Sequence, residues 1–230
     1  MYLSQLTLNP RSRQVRSERD DPYQMHRTLC KAWTQNLDEA AGKAALEAAR
    51  PLFRLDETPQ GAMTLLVQSQ REPDWSFLDG GGYLQRSAQT KPFAPQIAAG
   101  QMLTFRLRAN PTKCAIAPDQ KSGRGKRTGI FKESERRDWL LRQAARCGFE
   151  IPLVGELEDG TPVHDFRLTD EKATRATPEG PARSTQAVLS AALFEGRLIV
   201  SDAGVFQNAL QNGIGPAKAF GFGLLSLRRA

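Results

Sequence analysis

The chain has 230 residues, 40% of them hydrophobic, which excludes a disordered polypeptide and leaves room for one large core or two domains of about 100 residues each. Lys and Arg total 32 against 25 Asp and Glu, and the net charge of +7 points to a polyanionic partner, nucleic acid ahead of membrane. Three widely separated cysteines, Cys30, Cys114 and Cys147, form no C-x-x-C pair, which argues against a zinc site or a disulfide scaffold.

In chain order, "YLSQLTL" at 2–8 alternates like a strand and stops at Asn9-Pro10. A basic loop is expected next, with Arg11, Arg13, Arg16 and Arg19. A helix then opens with Asp21 as N-cap, Pro22 at its first position and Gln24 where a capping box wants it. The alanine-rich stretch 38–49 reads as helix, and "LFRLDE" and "AMTLLVQSQ" read as strands around a turn at Pro59-Gln60-Gly61. One helical turn is expected at 74–78 and a strand at 83–86. Residues 87–100, rich in proline and small residues, read as a linker.

The second half opens with the alternating strand "QMLTFRLRANP" and a basic, loop-like stretch at 113–131. "KESERRDWLLRQAARC" at 132–147 is an amphipathic helix stopped by Gly148. Strands are expected near 149–154 and 163–168, a polar loop at 169–183, and a hairpin turning at Glu195-Gly196 within "TQAVLSAALFEGRLIVSD". A helix at 202–212 ends at Gly213, and "FGFGLLSLRR" closes as a strand. The order β, α, β, β, α, β thus occurs twice. It predicts an α+β fold of two tandem ferredoxin-like (RRM-like) domains, 1–90 and 91–230; the other reading is one larger α+β domain.

The first long helix contains "YQMHRTLCKAWT" and His26, one of only two histidines. At about 100° per residue, Tyr23, His26, Arg27, Cys30, Lys31 and Thr34 share one side. Met25, Leu29 and Ala32 fall opposite, with Trp33 at the border. Such a stripe is either a solvated helix face or a set of groups for chemistry. RNA self-cleavage is a reaction that would use it. A base takes the 2′-OH proton, that oxygen attacks the adjacent phosphate, and an acid protonates the leaving 5′-oxygen. Imidazole, with a reference pKa of about 6.5, suits either role. Arg27 and Lys31 would stabilise charge on the phosphorane. The RNA supplies the nucleophile, and no H-E-x-x-H or D-x-D pattern offers a metal site, so no metal or other cofactor is expected.

"GIGPAKAFGFGLLSL", 213–227, follows a helix and enters a strand, the reverse of a dinucleotide-binding loop. Gly213, Gly215, Gly221 and Gly223, with Lys218 among them, suit either close approach to an RNA backbone or a tight helix-to-strand turn. His164 reads as a strand-surface residue, and Trp33, Trp75 and Trp139 as core.

"YLSQLTLNPRSR…DPYQMHRTL", "EPDWS", "FRLRANPTK" at 105–113, "LFEGRLIV" at 193–200 and "GIGPAKAFGFGLLSL" together resemble the CasE family, RNA-processing endoribonucleases of type I-E CRISPR systems within the RAMP proteins. The resemblance spans nearly the whole chain. It implies two ferredoxin-like domains and metal-independent cleavage of pre-crRNA at the 3′ base of the CRISPR repeat hairpin. It also implies that the mature crRNA is retained and carried into Cascade with the other Cascade subunits, with no membrane partner. By the same resemblance His26 is the catalytic histidine and Tyr23 its companion; Arg27, Lys31 and Thr34 of the same stripe are expected as support. RNA contacts are expected from Arg106, Arg108 and Lys113, and from a gripping hairpin near 167–183 with Arg167, Lys172, Arg175 and Arg183. The competing reading is a RAMP scaffold subunit that holds guide RNA without cutting it. A DNA-binding regulator lacks a helix-turn-helix with a basic recognition helix. The reduced cysteines, the missing signal-peptide core and the lack of any apolar run near the roughly 20 residues of a membrane helix lead to an expected cytoplasmic localisation.

Overall fold

The computed structural model describes residues 1–115, 126–171, 174–176 and 187–230. The first half contains β1 (Tyr2–Leu8), α1 (Arg13–Asp20), α2 (Pro22–Thr34), α3 (Glu39–Ala49), β2 (Leu52–Glu57), β3 (Met63–Ser69), a 3-10 turn (Ser76–Leu78) and β4 (Gln89–Pro92). Its strands form one antiparallel sheet in the order β2-β3-β1-β4.

The second half contains β5 (Met102–Ala109), β6 (Thr112–Ala115), β7 (Lys126–Gly129), α4 (Glu133–Arg146), β8 (Phe149–Glu150), β9 (Leu153–Glu156), β10 (Pro162–His164) and β11 (Phe166–Asp170). It continues with β12 (Thr174–Ala176), β13 (Ala187–Leu189), β14 (Ala192–Val200), α5 (Ala203–Asn212), a 3-10 turn (Lys218–Phe220) and β15 (Leu225–Arg229). Its main sheet runs β11-β14-β5-β15, with β8 beside β14. Each main sheet, counted on its own four strands, has the order 2-3-1-4. This is the ferredoxin-like arrangement, present twice. The pairs β6–β7, β9–β10 and β12–β13 are additions to the second half.

Period-two alternation sends one face of each sheet into a core. Leu6, Leu8, Phe53, Leu65 and Val67 meet Val15, Met25 and Leu29 in the first half. Phe105, Leu107, Phe194 and Leu198 meet Trp139, Leu140, Phe206 and Leu210 in the second. Each such buried Leu or Phe contributes about 1.5–3 kcal/mol relative to exposure. Trp75 and Trp139 are core residues as expected, and Trp33 packs edge-on against Trp75. The halves are tied by Gln68 donating to the Leu210 carbonyl at 2.7 Å and by Arg54 donating to Ser226 Oγ at 2.6 Å. No helix of the described residues is long and apolar enough to cross a membrane.

Four expectations are corrected. The basic stretch after β1 is helix α1, because Ser12 caps it and its inner side carries Val15 and Glu18. Glu18, 5% exposed, accepts hydrogen bonds from Gln14, Thr28 and Tyr83, which fastens α1 to α2. The strand expected at 83–86 is a single bridge, Leu8 to Leu84; the edge strand β4 lies at 89–92, inside the expected linker and across its residues 90 and 91. The stretch 113–131 carries the β6–β7 pair, not loop alone. Finally, β14 runs straight through Glu195-Gly196. Gly196 is there for space: a Cβ would lie 2.1 Å from the Asp165 carbonyl oxygen of the neighbouring chain segment.

Candidate active site

Helix α2 is built as its sequence predicts at the N-terminus, where Asp21 accepts from the Tyr23 N–H at 3.1 Å and Pro22 follows. Met25, Leu29 and Ala32 are buried, and Tyr23, His26 and Cys30 lie half-buried on the other side. The imidazole of His26 stacks on Phe53 of β2, with ring centroids 6.1 Å apart and planes 13° from parallel. Cys30 Sγ lies 3.6 Å from Nε2 and 3.9 Å from Nδ1. Nearly equal distances place the sulfur beside the ring rather than in line with one nitrogen lone pair. The Tyr23 ring is 6.5 Å from that of His26 and 5.8 Å from that of Phe220. Burial lowers the His26 pKa from its ordinary value and pushes the Cys30 thiol up to about 11. At neutral pH both groups are therefore uncharged, and the imidazole is free to accept a proton.

The glycine-rich loop closes this site from the second half. Gly213, Gly215, Gly221 and Gly223 all take positive φ, between +73° and +89°. The loop is pinned to itself where the Ile214 N–H donates to the Gly223 carbonyl at 2.9 Å. It is pinned to β5 where the Gly223 N–H donates to the Arg108 carbonyl at 2.8 Å. At Gly221, φ is +78° and a Cβ would lie 3.1 Å from Phe53 Cε2, so the backbone lies directly against the ring that supports His26. Lys218 is half-buried in the same loop; burial and then the charge of Arg50 lower its pKa. Arg108 lies over the Phe222 ring at 4.5 Å and donates to Glu171 at 2.5 Å.

The remaining sequence-predicted residues fall into three groups. Arg27 and Lys31 are exposed on α2, flanking the His26 stripe. Thr34 is the last residue of the helix; its hydroxyl donates to the Cys30 carbonyl at 3.2 Å, and its methyl packs toward Gly42 of α3. Arg106 and Arg167 belong to an ion-pair chain on the outer sheet faces. Arg106 meets Glu195 at 2.7 Å and Asp56 at 3.6 Å, while Arg167 reaches Glu195 at 3.7 Å. Lys113 pairs with Glu135 at 2.7 Å. Arg175 lies on β12, and Lys172 and Arg183 lie outside the described residues. The structure thus gathers Tyr23, His26, Gly221 and Arg108 about Phe53 and Phe220, leaves Lys218 in the same loop beside Arg50 and Cys147, and sets Arg106, Arg167 and Lys113 elsewhere. Among the described residues, no group of three or more His, Cys, Asp or Glu is placed to hold a metal ion.

Sequence reasoning missed Phe53 and Phe220. In sequence Phe53 is one more apolar residue of a strand, and no local period links it to a histidine 27 positions earlier. Cys30 was on the predicted stripe, four residues after His26, and that spacing was the available signal for their contact.

A family model described as "CRISPR associated protein" matches residues 1–229. The chain is 40% identical to the "CRISPR-associated endoribonuclease Cse3" of Thermus thermophilus over 230 residues, 99% of each chain. It is 30% identical to the "CRISPR system Cascade subunit CasE" of Escherichia coli K12 over 236 residues, 99% of this chain and 98% of that one. Among solved structures it resembles Thermus thermophilus Cse3 bound to an RNA representing a pre-cleavage complex, with a TM-score of 0.77, 38% identity and coverage of 99% and 98%. It also resembles the Cas6e protein of Escherichia coli K-12, with a TM-score of 0.66, 27% identity and full coverage of both chains. Matched from end to end by that family model, and by these relatives over nearly all of both chains, the chain belongs to the CRISPR-associated protein family that includes Cse3 and CasE.

Proposed function

We propose that this protein is a metal-independent endoribonuclease that binds the CRISPR repeat hairpin and cuts pre-crRNA at the hairpin's 3′ base by attack of a 2′-OH on the adjacent phosphate. The observation that carries this reading is the seating of His26, half-buried and stacked on Phe53, beside Tyr23 and under the glycine-rich loop. Burial holds the imidazole neutral, which is the form that accepts the 2′-OH proton. The phenol of Tyr23, with an ordinary pKa near 10, is a poor base and orients the phosphate or the histidine. Arg27 and Lys31 bring positive charge to the stripe, where the phosphorane develops. Lys218 and the loop backbone hold the RNA strand at the cut. Thr34, engaged with the Cys30 carbonyl, has the weakest claim to a catalytic role.

The products of this chemistry are a 2′,3′-cyclic phosphate and a 5′-hydroxyl. The protein keeps the mature crRNA and enters a Cascade-type complex with it, in the cytoplasm. We place the join between its two domains in residues 93–101, after β4 and before β5. Incubating the protein with repeat hairpin RNA in EDTA, with end-group analysis, tests the reading. One defined cut with a cyclic phosphate end is expected. Tight hairpin binding with no product would replace it with the scaffold role.

A further inference from the structure

An acidic, apolar surface interrupts this basic protein. From Cys147 to Phe166 the chain carries Glu150, Glu156, Glu158, Asp159 and Asp165 and no Lys or Arg, against a net charge of +7 for the whole; Asp165 is ion-paired with Arg197, which leaves the other four. Within this segment β9 and β10 form a two-stranded ribbon outside the main sheet. Its apolar side chains face water: Leu153 is 64% exposed, Val154 55% and Leu157 57%. Leu153 also lines a cavity of about 610 Å³, whose other walls include Leu141, Ala144, Phe149 and Ile151. Among the described residues Glu150 is the one carboxylate of that lining, beside His164, and no Lys or Arg contributes to it. Ribbon and cavity therefore meet at Leu153, with the carboxylates of Glu150, Glu156, Glu158 and Asp159 in the same segment. A lone two-stranded hairpin is marginal in water, and a contiguous exposed apolar patch marks an interaction site.

We infer that this surface docks a segment of another protein subunit, one that offers an apolar anchor flanked by lysines or arginines. The anchor fills the cavity beside Leu153, and the flanking cations meet Glu150, Glu156, Glu158 and Asp159. The same carboxylates repel phosphates, so RNA is not the occupant. A second copy of this chain would have to bring its own anchor to the same acidic patch. Since relatives of this chain act as subunits of a larger assembly, the inference rests on the reading above for the identity of that assembly. The surface itself is independent of the nuclease site.

A photo-crosslinking residue placed at Val154 in the full chain, in cells expressing the native locus, tests this. The expected result is a crosslink to a different protein, at a peptide whose apolar residue lies within a few positions of Lys or Arg. In Leu153→Asp/Leu157→Asp the crosslink falls at least tenfold, while the variant cuts repeat hairpin at the parent's rate. Leu153→Ser/Leu157→Ser gives the same ordering with less disturbance to folding. A crosslink to RNA, to a second copy of this chain, or to nothing overturns the inference. A parent that crosslinks as expected but cuts no RNA refutes the nuclease reading and leaves the docking surface standing.

Discussion

His26 is one of two histidines in the chain, and its neighbours decide its chemistry. His26→Ala should lose cleavage by about a hundred- to ten-thousand-fold, the range a general acid–base group supplies, and keep its affinity for the hairpin. Single-turnover assays beside a binding titration check both halves. A 2′-deoxy substitution just upstream of the cut should abolish cleavage with binding intact, because the nucleophile is then missing. The pH dependence follows from burial. Loss of solvent disfavours the imidazolium, so the folded-state pKa lies below its ordinary 6.5. A rate that needs neutral His26 therefore falls with a midpoint below pH 6.5. Phe53→Ala opens the seat to water and should move that midpoint back up. Single-turnover rates from pH 5 to 8 in EDTA, for parent and variant, measure the shift; an unmoved midpoint would show that Phe53 does not set the environment of His26.

At the scale of elements, glycine and neighbouring backbone make the site. Gly221→Ala puts a Cβ into a backbone of φ +78° and within 3.1 Å of Phe53. A left-handed non-glycine residue costs about 1–2 kcal/mol, and the displaced Phe53 should slow cleavage although no reacting group is removed. Gly196→Ala acts differently. It should separate β14 from β11 and cost about 1–3 kcal/mol or more through overpacking, read as a lower Tm, since its Cβ would sit 2.1 Å from the Asp165 carbonyl oxygen. These two glycines also show what could be read beforehand. Helix α2 was legible because its cap, its proline and its apolar spacing are local and agree. Glu195-Gly196 suggested a turn because glycine breaks local patterns, but the partner that requires it is Phe166 with Asp165, about 30 residues away. Helix α1 was hidden for a similar reason. Its arginines suggest solvent, while the side that matters is held by a buried glutamate whose partners lie on α2 and at Tyr83. Local signals revealed elements; long-range contacts assigned their roles, and Phe53 under His26 belongs to the second kind.

For the whole molecule, charge sets the reach of the RNA interaction. With a net charge of +7, hairpin affinity should fall linearly in log–log form as salt rises. The double variant Arg175→Ala/Arg183→Ala should bind more weakly and with a shallower slope. An unchanged slope, measured by titration at several salt concentrations, would remove that stretch from the interface. If the product hairpin is gripped by the contacts that gripped the substrate, excess RNA should give about one cut per protein.

The histidine and the loop that covers it come from opposite ends of the described chain: His26 lies on the second helix, and Phe220 and Gly221 just before the last strand. During translation the imidazole of His26 is therefore made early and waits, without its roof, while nearly two hundred further residues are added. A growing polypeptide carries the imidazole for most of its synthesis before Phe220 and Gly221 arrive to close over its seat.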